Sequence, residues 1–156
     1  MIVTDKIQLT TKELFKILIK RYLKKRWWLL VWIWVMIGLL LFRESNDSFR
    51  YFIVAALVGL QLIVVYQYWG YATSKDNAPS LKERYYEIDT DKVVGTTPDG
   101  KATTVENSLF IKVARTSKYY LLYTTAVEFI YLPFSSFKSS GDKEWFDREI
   151  IAKIKK

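Results

Sequence analysis

Two uncharged, strongly apolar stretches, Trp27 to Phe42 and Tyr51 to Ser74, are separated only by the polar loop Arg43 to Arg50. That pattern reads as a membrane hairpin, and it leaves roughly 80 residues of the 156 after it, enough for one small folded domain. At about 1.5 Å rise per residue the first run covers roughly 24 Å, and the second exceeds the ~30 Å hydrocarbon core. The first is short for a span. Arg26 and Arg43 at its flanks can snorkel toward headgroups, and the bilayer can thin locally at modest cost. The pattern predicts a two-span helical hairpin over residues 27–74, with no cleaved signal peptide. Neither run holds an Asp, Glu, Lys, Arg or His. Proton relay and ion transport by this chain alone are therefore not expected.

Charge is placed unevenly around those spans. Residues 1–26 carry eight basic side chains against two acidic ones, whereas from Ser80 onward 13 basic residues meet 11 acidic ones. The formal net charge of +8 is thus mostly an N-terminal effect. Lys12, Lys16, Lys20, Arg21, Lys24, Lys25 and Arg26 directly precede the first span, which makes anionic headgroups their expected contact and not nucleic acid. The same bias puts both termini on the cytoplasmic side of the membrane, in a multi-pass arrangement. The absence of cysteine agrees with that compartment.

Thr10 and Glu13 fit a capping box, so a helix is predicted to begin there. Leu14, Ile17, Leu18 and Tyr22 recur at helical spacing, and Lys12, Lys16, Lys20 and Lys24 fall every four residues along another face. No Pro or Gly interrupts Glu13 to Ile37, which predicts that this basic amphipathic helix (residues 1–26) runs into the first span unbroken. Trp27 and Trp28 open the first span while Trp69 and Tyr71 close the second, and all four are expected to anchor at one membrane interface. Gly38, Gly59 and Gln61 are expected at a close contact between the two helices, with Gln61 hydrogen-bonding across it.

After Asn77, Ala78 and Pro79 the texture changes. Strands are predicted over Arg84 to Ile88, Lys92 to Thr97, Lys101 to Glu106, Leu109 to Arg115, Tyr119 to Tyr123 and Val127 to Leu132. Pro98, Asp99 and Gly100 make the clearest turn, and the last pair of strands forms a hairpin around Thr124 to Ala126. A final helix is capped by Ser140. Its Trp145, Phe146, Ile150, Ile151 and Ile154 make one apolar face, with Asp147, Arg148, Lys153 and Lys155 left in water. Residues 80–156 then form a small α+β domain, an antiparallel sheet or partly open barrel with a C-terminal capping helix.

With no histidine and no cysteine, the commonest general base, the thiolate nucleophile and the usual zinc ligands are missing. Asp89 and Asp91 lack the further ligands of a calcium loop and fit a turn. Asp142, Glu144, Asp147 and Glu149 suit the start of a helix, and the serines from Ser135 to Ser140 have no partner base. No catalytic residue, metal site or cofactor is expected.

The layout resembles the YcxB-like family of small bacterial membrane proteins. The local match is Tyr119-Tyr120-Leu121-Leu122-Tyr123, then Ile130, Tyr131, Leu132, Pro133 and Phe137 before the last helix. Phe134 stands where the family usually has a basic residue, and no Trp opens the strand near Asn107 to Phe110. The resemblance implies a two-span hairpin followed by a cytoplasmic domain with a pleckstrin-homology-like (PH-like) fold, and it implies no reaction. Three roles follow as expectations. The first is a non-enzymatic adaptor or accessory subunit that presents the domain to a protein partner, in a membrane complex or a homo-oligomer. The second is a module that senses anionic lipid, with Lys82, Lys112 and Lys118 adding to the N-terminal cluster. The third, which the resemblance allows and no residue argues for, is an immunity or self-protection protein.

Overall fold

The computed structural model describes residues 1–42 and 48–154. The expected contacts of Arg43, the hairpin loop up to Asp47 and the wet side chain of Lys155 fall outside the described residues. The chain divides into two compact units, Thr10–Ser80 and Met1–Leu9 with Leu81–Lys156.

The first unit is a pair of long helices. The α1 helix spans Thr11–Phe42 and α2 spans Ser48–Thr73. Both are long and apolar enough to cross a membrane, at about 48 Å and 39 Å by helical rise. Their apolar side chains are turned outward; almost none of either apolar window is buried, unlike the core helix of a soluble protein. α1 starts as expected, because Thr10 N–H and Oγ1 both donate to Glu13 Oε2 at 3.0 and 2.9 Å while Glu13 N–H returns to Thr10 Oγ1. The expected unbroken run needs correction. Arg26 sits at φ −123°, ψ 18°, outside helical values, so α1 is kinked where the basic segment meets the apolar one. α2 ends with Asn77 Nδ2 donating to the Tyr71 carbonyl at 2.6 Å, and a 3-10 turn (Lys75–Asn77) and the short α3 (Ala78–Leu81) follow.

The second unit is built from seven antiparallel strands and a C-terminal helix. β1 (Ile2–Val3), β2 (Tyr85–Ile88), β3 (Lys92–Thr96) and β4 (Ala102–Glu106) make one sheet in that order. β5 (Lys112–Arg115), β6 (Tyr119–Tyr123) and β7 (Phe129–Pro133) make the other. Both sheets are open. The barrel considered from sequence is not closed, because a 3-10 turn at Asn107–Leu109 intervenes and β4 and β5 do not pair. That turn also corrects the start of the fourth predicted strand, which begins at Lys112 and not at Leu109. The turn is held by Asn107, whose Nδ2 donates to the Asp89 and Thr90 carbonyls.

β1 corrects the expectation of a helical segment over residues 1–26, since residues 1–9 join the β unit. Ile2 pairs with Ile88, and Thr4 N–H donates to the Tyr86 carbonyl while buried Thr4 Oγ1 accepts from Tyr86 N–H, each at 2.9 Å. Ile7 exchanges two backbone hydrogen bonds with Arg84, and Asp5 N–H donates to the Ser136 carbonyl. The N-terminal segment thereby ties the first sheet to the turn that follows β7.

One core serves both sheets and the last helix. Ile88, Val93, Tyr120, Leu122, Leu132, Phe146 and Ile150 are all but fully buried in it. Gly95 lies opposite Tyr86 in the β2–β3 register, and a Cβ there would stand 2.8 Å from Tyr86 Cε1, so only glycine lets that ring lie across the strand. Gly100, at φ +78°, takes the left-handed position of the turn predicted for it. The last helix comprises α4 (Ser140–Phe146), a π-type turn (Asp147–Ile151) and α5 (Ala152–Ile154). Its cap is Ser139 and not Ser140, since Ser139 Oγ accepts from Asp142 N–H at 3.1 Å.

Candidate functional site

The seven cations expected at the membrane surface all lie on α1, and Lys12, Lys16, Lys20, Arg21, Lys24, Lys25 and Arg26 are exposed. Leu14 and Ile17, on the other face of the same turns, are buried. This is the arrangement an amphipathic spacing produces, with four-residue steps keeping lysines on one side. The kink at Arg26 ends the basic segment, and the Arg26 guanidinium lies 6.0 Å from the Tyr22 ring centroid. Glu13 is the single acidic side chain between Thr11 and Arg26 and is occupied by its capping box, so the band keeps its positive field.

The aromatic residues do not share one level along the hairpin. Trp69 meets Phe15 edge-on at 5.3 Å, and Tyr68 meets Tyr22 at 5.5 Å. Phe15 precedes Trp27 by twelve residues, about 18 Å of helix. Trp27 and Trp28 therefore lie well along α1 from the level of Trp69 and Tyr71, and all four side chains are exposed. A short connection forces antiparallel pairing but leaves α1 extending past the ends of the apolar runs, which is why their boundaries misjudged the level.

The expected close contact at Gly38, Gly59 and Gln61 is also not formed. A Cβ at Gly38 or Gly59 would have no neighbour within 4 Å, and Gln61 Nε2 donates to the Leu57 carbonyl of its own helix at 3.4 Å. A long amide one turn from a helix carbonyl can satisfy itself on that oxygen's second lone pair, without α1. Ring contacts of Phe15 with Trp69 and of Tyr22 with Tyr68 join α1 and α2 instead, and Ile37 and Ala72 are buried.

In the β unit the densest polar group surrounds Asp147. The hydroxyl of fully buried Tyr120 donates to Asp147 Oδ1 at 2.6 Å, and Arg115 Nη1 and Lys143 Nζ each approach the same carboxylate at 3.7 Å. Arg115 also lies over the Tyr120 ring at 5.7 Å, and Lys143 over Phe134 at 4.8 Å. Burial, and then the hydrogen bond to the Asp147 charge, push the Tyr120 phenol far above its ordinary range. Tyr86 is raised mainly by burial as well. Asp147, expected in water, is thus the acceptor that lets a tyrosine be buried. No local pattern announces that pair, because 27 residues separate the two side chains.

The remaining carboxylates serve local structure. Asp89 Oδ1 accepts from Thr90 N–H at 2.9 Å within its turn. Asp99 is hydrogen-bonded to Thr97 and Lys82, which hold it below the usual carboxylate range, and Glu149 is lowered in the same way by Arg148 and Lys153. Ser136 is buried, with Oγ donating to the Pro133 carbonyl at 2.7 Å, so it acts as a turn residue.

No curated protein and no solved structure matches the chain. Residues 88–150 match the family model described as YcxB-like protein, from the end of β2 to the last helix. The match includes the Tyr119 to Tyr123 strand and the Ile130 to Phe137 run, so residues 88–150 are similar to the YcxB-like family, while the two apolar helices lie ahead of the matched residues.

Proposed function

We propose that this is a non-enzymatic adaptor or accessory subunit of the bacterial inner membrane, which holds a PH-like domain at the cytoplasmic face for a protein partner. The observation that carries this reading is the join of an outward-apolar hairpin to a β unit whose best-organised polar group, around Asp147, is spent on burying Tyr120. The strand order, four then three followed by a helix, favours the PH-like description. The positive N-terminal band favours cytoplasmic termini. The role calls for no cofactor and no nucleic acid. The test is purification of the tagged full chain from its native membranes in mild detergent after crosslinking. A defined heteromeric or homo-oligomeric complex is expected, and recovery of monomer alone overturns the reading.

A second reading, anionic-lipid sensing, is favoured by the seven exposed cations beside the apolar span. Native mass spectrometry of the detergent-solubilised chain then retains anionic over zwitterionic phospholipid. Substituting Lys16, Lys20 and Lys24 by Gln removes that preference if the reading holds, and leaves it intact if it does not.

A further inference from the structure

Among the described residues of the β unit, the large hydrophobic side chains that remain exposed are Met1, Leu109, Ile111 and Val127. Strand register gathers them at one end of the unit. Met1 precedes Ile2, which pairs with Ile88 at the end of β2, beside the Asp89 to Asp91 turn. Leu109 follows Asn107, which is hydrogen-bonded to that same turn. Ile111 N–H donates to the Tyr123 carbonyl at 2.9 Å, where β6 enters the turn that contains Val127. Leu109, Ile111 and Val127 are 55%, 60% and 64% exposed, unlike the covered apolar positions of the strands around them.

The charged side chains at this end are Asp89, Asp91, Glu106 and Glu128 against Lys92 and Lys112. Four carboxylates against two lysines and the Met1 ammonium leave it net negative, at −1, in a chain whose side chains total +8. Among the described residues, the ion pairs of the unit formed by Lys6 with Glu83, by Lys82 with Asp99, and around Asp147 and Glu149 lie elsewhere. Glu106 faces Lys92 across the β3–β4 ladder, yet no ion pair within 4 Å joins them among the described residues.

We infer that this end, centred on Leu109, Ile111 and Val127 with Glu106 and Glu128 at its rim, docks a basic, aliphatic-bearing segment of a partner protein. The inference rests on the adaptor reading and names the surface and the partner's chemistry. Exposed aliphatic side chains in a water-facing unit gain by being covered. The sign of the rim chooses among the candidates. Anionic headgroups are repelled by a net negative rim, and a second copy meeting the same patch sets like charge against like. A positively charged segment satisfies both the aliphatic centre and carboxylates that are hydrogen-bonded locally, Asp89 to Thr90 and Glu106 to Ser108, but hold no ion pair among the described residues.

The test uses the full chain in its native membranes, with a photoreactive benzoylphenylalanine at Val127 and, in a separate variant, at Ser117 in the β5–β6 turn at the opposite end. The expected result is a crosslink from position 127 into a net-positive segment of another protein, with yield reduced about tenfold by E106Q with E128Q. Ile111→Ser, at an exposed position, is expected to lower the yield and leave the thermal transition unchanged. Crosslinks from 127 to phospholipid alone or to this chain alone overturn the inference, as does a yield indifferent to E106Q/E128Q. Capture of a protein from 117 but not from 127 overturns the surface and leaves the adaptor reading standing. Capture from neither, with monomer alone on purification, overturns both.

Discussion

The helical hairpin and the β unit use similar side chains in opposite ways. In α1 and α2, Trp32, Leu39, Phe52 and Leu62 are each more than 60% exposed, whereas Tyr120, Leu122, Leu132 and Phe146 in the β unit are at 0%. A hydrocarbon solvent lets apolar helices stand without a core, since every backbone group is satisfied within the helix. A water-facing unit must cover its apolar residues with each other, and therefore needs two sheets, a helix and an N-terminal strap. One unit leaves its apolar side chains uncovered, as helices fit for hydrocarbon do, and the other is held by its own packing.

The sharpest way to break that contrast is a cavity. Phe146→Ala removes a fully buried ring that contacts Tyr120 and Phe137, and is expected to cost about 3–5 kcal/mol in denaturant unfolding of the β unit. Helical signal from the hairpin in detergent is expected to persist; joint loss of both signals contradicts two separately supported units. The reciprocal change, Leu62→Arg, puts a charge near the middle of α2 and raises the insertion cost by about 2.5–3.5 kcal/mol. Carbonate extraction is expected to release more of this variant than of the native chain. Equal retention of the two shows that Leu62 does not face lipid.

A smaller effect isolates the buried hydroxyl. Tyr120→Phe deletes the hydrogen bond to Asp147 and is expected to cost about 1–2 kcal/mol. Because folding raises the Tyr120 pKa, the native state favours the protonated phenol. That contribution is complete below the unfolded value near 10 and declines as pH rises above it. Alkaline titration of stability therefore falls less steeply in the variant, and parallel curves remove Tyr120 as the source. The smallest change is Thr10→Ala, which removes the capping box and costs about 1 kcal/mol, read as faster amide exchange in the first turn of α1. Unchanged exchange there means that the cap adds nothing to the packing of α1.

Elements whose signal is a short-range period were legible. The capping box, the Gly100 turn, both long helices and most strands of the β unit follow from alternation, helical spacing and turn chemistry. Misses occurred where a distant partner decided the outcome. β1 is two residues long and pairs across more than 80 positions of sequence, a contact no local window contains. Leu109 and Ile111 alternate like strand residues, but Asn107 draws that stretch into a turn against Asp89 and Thr90. The candidate site divided in the same manner. The basic band could be read from spacing, whereas the levels of Trp27 and Trp69 and the self-satisfied Gln61 depended on how two helices slid past each other.

From the order of residues alone came the two lipid-compatible runs, the asymmetric positive charge and the periodicities that make helices and strands, because each depends on neighbours a few positions away. Tertiary structure alone settled that residues 1–9 complete the β unit, that Asp147 partners Tyr120, and that three exposed aliphatic side chains lie toward one end of that unit. Those outcomes depend on register and on closing long loops, where many pairings satisfy the same local pattern and the packed core selects among them.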